Sequence, residues 1–346
     1  MCPESAEPLP QPDIASLLAA APQTSIDFSD IKGQHEAKRA MEIAAAGGHN
    51  LIMIGSPGAG KTMLARALPS IMPPLSVGEC LECSKIHSIA GLLSAEHPLV
   101  TERPFRAPHH TSSQASLIGG GRVPGPGEVS LSHNGILFMD EFPEFQKNVL
   151  EALRQPLEDG IVTISRVSAQ FTFPCNFLLV ASMNPCPCGY LNDPKHECTC
   201  SDAAITRYRR KVSGPLLDRF DIQLEVMPIA FSDLYDDSTR EESSAQVRAR
   251  VIRARNIQLA RFAKDDGIYC NSNMTQAHIQ TYCQLDAACK RLLERAFEKL
   301  GISARAHNRI LKLARTIADL AESEQIQAPH IAEAIQYRAL DKSLWN

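Results

Sequence analysis

Along the chain, short wholly apolar runs alternate with stretches in which apolar residues recur at every third or fourth position. Leu51 to Ile54, Ile136 to Met139 and Phe177 to Ala181 are runs of strand length, and being apolar at every position they predict strands buried on both faces. Glu36 to Ala46 and Lys61 to Leu68 carry helical spacing. This alternation predicts an α/β fold, a parallel sheet flanked by helices. Ile161 to Phe173 alternates with period two through Val162, Ile164, Val167, Phe171 and Phe173, the pattern of a β-hairpin. More than sixty residues separate the second helix from the strand at Ile136, longer than a crossover requires. Within them, Pro104 to Gly127 is rich in Gly, Pro, Ser and His and reads as a loop that emerges from the domain.

After Pro228 the character changes. Ala245 to Ala263, Ala287 to Leu300, Arg305 to Leu320 and His330 to Leu340 each read as helices, and no convincing strand follows. The chain therefore divides into a linker (1–26), an α/β domain with its insertion (27–235) and a small all-helical domain (236–346). The linker holds Pro3, Pro8, Pro10, Pro12 and Pro22 and no basic residue, which suits an extended, flexible segment. A helical turn or two fits only Asp13 to Ala21.

The candidate chemistry sits at the ends of the predicted strands. Gly55-Ser56-Pro57-Gly58-Ala59-Gly60-Lys61-Thr62 follows a strand and opens a helix, the context that a phosphate-binding loop requires. Its glycines let backbone N–H groups curl round phosphates, and the helix N-terminus adds a favourable dipole. Lys61 would reach the β- and γ-phosphates, and the Thr62 hydroxyl would ligate Mg²⁺. Asp140 and Glu141 end the next apolar strand, where open α/β sheets bind ligands. Asp140 would hold Mg²⁺ and Glu141 would activate the attacking water. Alone, such a pair is more often a helix cap; after a phosphate loop, on a neighbouring strand, the catalytic reading is favoured. The third strand ends at Ser182-Met183-Asn184, and Asn184 is either a contact to the γ-phosphate or its water, or a turn-former before Pro185.

Together these features resemble an AAA+ P-loop ATPase. Phe28-Ser29-Asp30-Ile31-Lys32-Gly33-Gln34, Phe105-Arg106-Ala107-Pro108-His109-His110-Thr111, Asn184-Pro185-Cys186-Pro187-Cys188-Gly189-Tyr190 and Leu217-Asp218-Arg219-Phe220-Asp221 are similar to stretches of the magnesium-chelatase-like YifB/ComM family. The match runs from about Phe28 to the C-terminus. The resemblance implies ATP and Mg²⁺ as cofactors, Lys61 and Thr62 as Walker A, Asp140 and Glu141 as Walker B and Asn184 as sensor 1. It also implies Arg219 as an arginine finger for a neighbouring subunit and Arg305, in Ser303-Ala304-Arg305-Ala306, as sensor 2 on a helical lid. A guanidinium supplied in trans suits the charge developing on a transferred phosphoryl, although either arginine could equally be an ordinary salt bridge. A finger acting in trans implies a homo-oligomeric ring, usually a hexamer. Family members carry an N-terminal domain related to the Lon protease fold, and this chain starts in what corresponds to the linker after it, as a truncated or shorter variant would.

The eleven cysteines fall into two kinds. Cys2, Cys80, Cys83, Cys175, Cys270, Cys283 and Cys289 are scattered and read as small buried residues. Cys186, Cys188, Cys198 and Cys200 form a C-x-C pair of pairs, and four thiolates fit a tetrahedral structural Zn²⁺ with no catalytic role. The one-residue gaps are shorter than the usual C-x₂₋₄-C spacing, so free thiols are the alternative, and His196 could replace one ligand. His109 and His110 lie in the inserted loop, away in sequence from the nucleotide motifs, and read as polar loop features. In the magnesium-chelatase and MCM group such insertions point into a ring's pore, which makes Arg103, Arg106 and Arg122 candidates to contact the phosphates of a threaded strand.

Composition narrows the classes. No apolar stretch is long enough to span a membrane, the N-terminus lacks a secretory signal, and a cytoplasmic, reducing location is expected, in which disulfides are rare. The formal net charge is −4, but residues 1–30 alone contribute −5 through Glu4, Glu7, Asp13, Asp27 and Asp30, leaving +1 for the rest. Net charge thus does not count against a nucleic-acid partner. Gln246 to Lys264 contains Arg248, Arg250, Arg253, Arg255, Arg261 and Lys264 and no acid, either a solvated helix face or a phosphate-contacting or subunit surface. The reading favoured is an ATP-driven ring motor acting on single-stranded or branched DNA. A motor that remodels a protein complex, as in magnesium chelatase, is the alternative, and a protein unfoldase is the weakest.

Overall fold

Strand β1 (Leu51–Ile54) is buried at all four positions and forms where the first apolar run predicts it. It belongs to a computed structural model that describes Leu18 and residues 26–121, 125–165, 170–229, 241–265, 267–300 and 304–338. The predicted linker, Leu18 and Ile26 excepted, and the predicted domain boundary at 235/236 lie outside those residues. Among the described residues the other strands are β2 (Phe105–Arg106), β3 (Gly119–Gly120), β4 (Gly125–Pro126), β5 (Ile136–Met139), β6 (Ile161–Ser165), β7 (Gln170–Pro174), β8 (Leu178–Met183) and β9 (Ile222–Glu225). Five of them hydrogen-bond in the order β2-β5-β8-β1-β9, and every pairing in this sheet is parallel. The predicted hairpin forms as β6 and β7.

The helices are α1 (His35–Gly47), α2 (Lys61–Ala67), α3 (Val77–Ile89), α4 (Gln114–Ile118), α5 (Glu128–Leu131), α6 (Lys147–Ala152), α7 (Arg154–Asp159), α8 (Asp202–Arg209) and α9 (Gly214–Leu217). After the sheet come α10 (Ser244–Arg261), α11 (Gln276–Tyr282), α12 (Ala287–Leu300), α13 (Ala304–Leu320) and α14 (Ala328–Gln336). Successive strand residues face opposite sides of the sheet, and both sides are covered. Leu51, Met53, Phe138, Val180 and Leu224 join one core with α1 and with α10, α13 and α14. Ile52, Ile54, Leu137, Met139 and Leu179 join a second with Phe142, Leu150, Phe220 and the hairpin's Val162, Ile164 and Phe173. The C-terminal helices are cross-braced by buried Asp319, which accepts from Arg261 at 2.5 Å and from Arg315 at 3.1 Å.

Two elements correct the sequence reading. The segment from Pro104 is not simply a projecting loop: Phe105 and Arg106 pair with Ile136 and Leu137 as an edge strand of the main sheet, and buried Leu117 and Val129 seat α4 and α5 on the second core. Helix α3 is not legible in the sequence because its apolar residues form no stripe, with Cys80, Cys83 and Ile86 buried while Val77 and Leu81 are exposed. Its signal was the capping box of Ser76 and Glu79. Among the described residues no helix is long and apolar enough to cross a membrane.

Candidate active site

Strand β8 lies between β1 and β5, so the acidic strand is not the neighbour of the phosphate-loop strand that the sequence reading supposed. The residues at the end of β8 therefore stand between the two motifs and touch both. Lys61 Nζ donates to the Gly55 carbonyl at 2.6 Å, the Ser56 carbonyl at 3.0 Å and Asn184 Oδ1 at 3.2 Å. Thr62 Oγ1 donates to Asp140 Oδ2 at 2.9 Å, and Ser182 Oγ donates to the other oxygen, Oδ1. A serine inside an apolar strand carries no distinctive signal in sequence, and only the fold shows Ser182 against Asp140.

This arrangement fits a magnesium nucleotide. Gly58 and Gly60 adopt φ values of 79° and 91°, and nothing lies within 4 Å of where a Cβ would stand on either, so the loop keeps an open inner surface of backbone amides. Lys61 is buried, and burial pulls its ammonium pKa down while the carboxylates of Asp140 and Glu141 oppose that shift. A cation at the Thr62–Asp140 pair would take a hydroxyl and a carboxylate oxygen, the hard donors that Mg²⁺ prefers.

Glu141 takes a left-handed backbone conformation with φ 53°, and its N–H lies 3.1 Å from Asp140 Oδ1. Its carboxylate is 3.1 Å from His110 Nδ1. The histidines are thus not remote from the nucleotide motifs as the sequence suggested. His110 reaches the acidic strand, its ring tilted 4.2 Å from His109 and edge-on to Phe145 at 6.5 Å.

Arg219 lies elsewhere. Its carbonyl accepts from Asn50 Nδ2 at 3.0 Å, at the start of β1, whereas the phosphate loop leaves the far end of the same strand. Five residues of extended chain, about 16 Å, separate those ends, so Arg219 cannot serve its own chain's loop. Its guanidinium pairs with Glu158 at 2.8 Å. Arg305 falls in the first turn of α13, and its side chain lies outside the described residues.

The arginines put forward for phosphate contact are occupied. Arg103 donates to Pro73 and Asn134 carbonyls and pairs with Glu79 at 2.9 Å; Arg106 pairs with Glu128 at 2.6 Å; Arg122 lies outside the described residues. Along α10, Arg250 bridges Glu42 at 2.5 Å and Glu242 at 2.7 Å, Arg253 pairs with Glu322, and Arg261 with Asp319. Arg248 donates to Met72 O, and Arg255 to the last carbonyls of α1, Ala45 and Ala46. This stripe ties helices together, which neither reading of it foresaw.

Cys186, Cys188, Cys198 and Cys200 converge, their four sulfurs within 4.8 Å of one another. His196 is not among them: its Nδ1 lies 3.1 Å from Asp193, and its ring is tilted against Tyr190 with 4.6 Å between centroids. Cys80, Cys83, Cys175, Cys270, Cys283 and Cys289 are buried, as expected; burial pushes the thiols of Cys83 and Cys175 up to about 12.

Comparison with known proteins gives the family. Residues 27–234 match the family described as magnesium chelatase, subunit ChlI, and residues 241–338 match its C-terminal family. The chain is 46% identical to competence protein ComM of Haemophilus influenzae over 93% of its length and 62% of that protein's. It is 45% identical to YifB of Salmonella typhimurium, across 94% of its own length and 63% of the relative's. Similarity to the magnesium-chelatase 67 kDa subunit of Heliobacterium mobile is lower, 25% over 66% of this chain and 38% of that one. The chain thus spans less than two thirds of the length of its ComM and YifB relatives. A parallel P-loop sheet, a C-terminal helical region and a profile match over most of the chain establish that this protein belongs to the magnesium chelatase ChlI family of AAA+ proteins, with relatives of the ComM and YifB type.

Proposed function

We propose that this chain hydrolyses ATP as one subunit of a cytoplasmic homo-oligomeric ring, of the hexameric kind. In this reading residues 27–235 bind nucleotide and 236–346 form a helical lid that carries Arg305 as sensor 2. The observation that carries the proposal is the convergence of Lys61, Thr62, Asp140 and Asn184 at the C-terminal ends of three adjacent strands. Lys61 holds the β- and γ-phosphates, Thr62 and Asp140 hold Mg²⁺, Asn184 senses the γ-phosphate and Glu141 activates the water. Arg219, at the opposite end of the sheet, completes the site of the next subunit. The electrostatic contribution of such a finger accounts for much of the acceleration in related phosphoryl transfers.

The track we favour is DNA, single-stranded or branched, a reading supported by the 46% identity to a competence protein. A protein-remodelling motor, as in magnesium chelatase, is favoured by one observation: Arg103, Arg106 and the α10 arginines are engaged within the chain. Turnover measured with and without single-stranded and branched DNA, on wild type and Lys61→Ala, tests both. Lys61→Ala should abolish turnover, and DNA should stimulate the wild type. Hydrolysis that DNA neither binds nor stimulates in an assembled ring rejects the DNA track in favour of a protein one, and a fully active Lys61→Ala rejects the ATPase assignment.

A further inference from the structure

The stretch 185–200 contains no helix or strand, although it follows β8 directly and lies against the phosphate loop. A segment of that length without regular structure needs something to hold its shape. Four cysteines converge within it. Cys186 Sγ lies 3.4 Å from Cys188 Sγ and 3.7 Å from Cys198 Sγ, with 3.6 Å between Cys188 and Cys198, and Cys188 N–H donates to Cys200 Sγ at 3.3 Å. Four sulfurs placed tetrahedrally around one Zn²⁺ at its usual bond length stand about 3.8 Å apart. The observed spacing matches a single ion and is too tight to enclose a cluster of several. Cys186 is buried and the other three are partly so.

What the ion would brace follows from its neighbours. Asn184, the partner of Lys61, is separated from Cys186 by Pro185 alone. Gly189, at φ 87°, presses against the Pro57 ring so closely that a Cβ there would stand 2.7 Å from Pro57 Cγ and Cδ. Between the two C-x-C arms, Asp193 accepts from the N–H groups of Lys195 and His196 at 2.9 and 3.0 Å. Asp193, Leu191 and Pro185 share a small cavity with Gly55 and buried Ser56, whose hydroxyl faces the Asp193 carboxylate. The cysteine segment is therefore the outer wall of the phosphate loop.

We infer that Cys186, Cys188, Cys198 and Cys200 hold one structural zinc ion that fixes the wall of the phosphate-binding loop, so that nucleotide affinity depends on an ion that takes no part in the chemistry. Each cysteine gives up its thiol proton to solvent as its Sγ–Zn bond forms, and no redox step is involved. The bracing half of this inference rests on the nucleotide reading proposed above; the metal half does not.

The test uses the full chain. Elemental analysis of reduced protein should give one zinc per chain, and Co²⁺ exchange should give the visible absorption and thiolate charge-transfer bands of a tetrahedral four-sulfur site. Cys198→Ser/Cys200→Ser should lose the metal and bind a fluorescent ATP analogue about tenfold more weakly, through lost preorganisation of the loop. Where that variant fails to fold, Gly189→Ala serves: it should retain zinc yet bind the analogue more weakly. Metal-stripped wild type, returned to Mg²⁺ buffer, should behave like the double variant and recover with added zinc. Zinc near zero in protein prepared with zinc present overturns the metal site. One zinc per chain with unchanged nucleotide affinity after stripping overturns the bracing. Failure of zinc-loaded wild type to bind nucleotide overturns the nucleotide reading and the bracing with it, leaving the metal site to stand on its stoichiometry.

Discussion

His110 Nδ1 lies 3.1 Å from Glu141 Oε2, which joins the inserted segment to the acidic strand. Glu141 already carries a left-handed backbone, at a cost of about 1–2 kcal/mol for an L-residue, and the histidine fixes where its carboxylate points. Glu141→Gln should lower kcat about a hundredfold to ten-thousandfold, the usual worth of a general base, while nucleotide still binds. In the proposed mechanism His110 acts through Glu141, as a positioning residue. His110→Ala should lower kcat with the KM for ATP unchanged, and His110→Gln, which keeps a donor, should restore part of it. A His110→Ala variant that loses nucleotide affinity instead would give His110 a merely structural role.

The opposite-end placement of Arg219 makes a mixing experiment decisive. Lys61→Ala spoils its own loop yet keeps a finger for its neighbour, and Arg219→Ala does the reverse. Each should be inactive alone. Mixed in equal amounts before ring assembly, about a quarter of the sites regain an intact loop facing an intact finger, and turnover should return in that proportion. No recovery in rings shown to contain both chains would mean that Arg219 does not act between subunits. Glu158, which holds Arg219 at 2.8 Å, must release it for this role.

How far the sequence revealed this site depends on the range of each interaction. β1 and β5 were legible because every position in them is apolar and buried. β9 was not, since its Ile-Gln-Leu-Glu pattern resembles a half-exposed strand, yet Gln223 is buried and its N–H donates to Tyr337 O at 2.9 Å. The phosphate loop is a local pattern whose spacing encodes its chemistry, and the four cysteines are close enough in sequence for their convergence to be legible. His110 and Glu141 are 31 positions apart and Arg250 and Glu42 are 208 apart, and no periodicity reports a pairing across such distances. The order of strands was equally hidden, because apolar runs give no partner, and β8 went unrecognised as the strand between the two motifs.

The arginine stripe on α10 yields a prediction that separates stability from DNA contact. Glu42 is buried and held by Arg39 at 2.9 Å as well as by Arg250 at 2.5 Å. Removing Arg250 leaves a buried carboxylate with one partner. Because Arg250 is itself partly exposed, Arg250→Ala should cost only about 1–2 kcal/mol, read as a lower Tm. If DNA binds, the slope of its affinity against salt should not change, since that slope counts the phosphates neutralised. A slope reduced by about one unit with Tm unchanged would return this arginine to the DNA surface.

Asp221, two residues beyond Arg219, links the start of β9 to α13. Its carboxylate is 3.1 Å from His49 Nδ1 and 3.2 Å from Arg309. Burial alone would raise its pKa, but the hydrogen bond from His49 and the charge of Arg309 outweigh it and hold the group well below the ordinary value of 3.8. A folded pKa below the unfolded one means that the stabilisation is fully present above about pH 4 and is lost as pH falls through the folded value. Between these limits the unfolded chain binds a proton that the folded chain refuses. Tm should therefore decline as pH drops below about 4, and Asp221→Asn should flatten that part of the profile. At neutral pH the same variant should cost about 3 kcal/mol, because it leaves the Arg309 charge facing a neutral amide beside buried His49. Thermal melts of both proteins from pH 3 to 7 check this, and parallel profiles would show that Asp221 does not govern the acid limb.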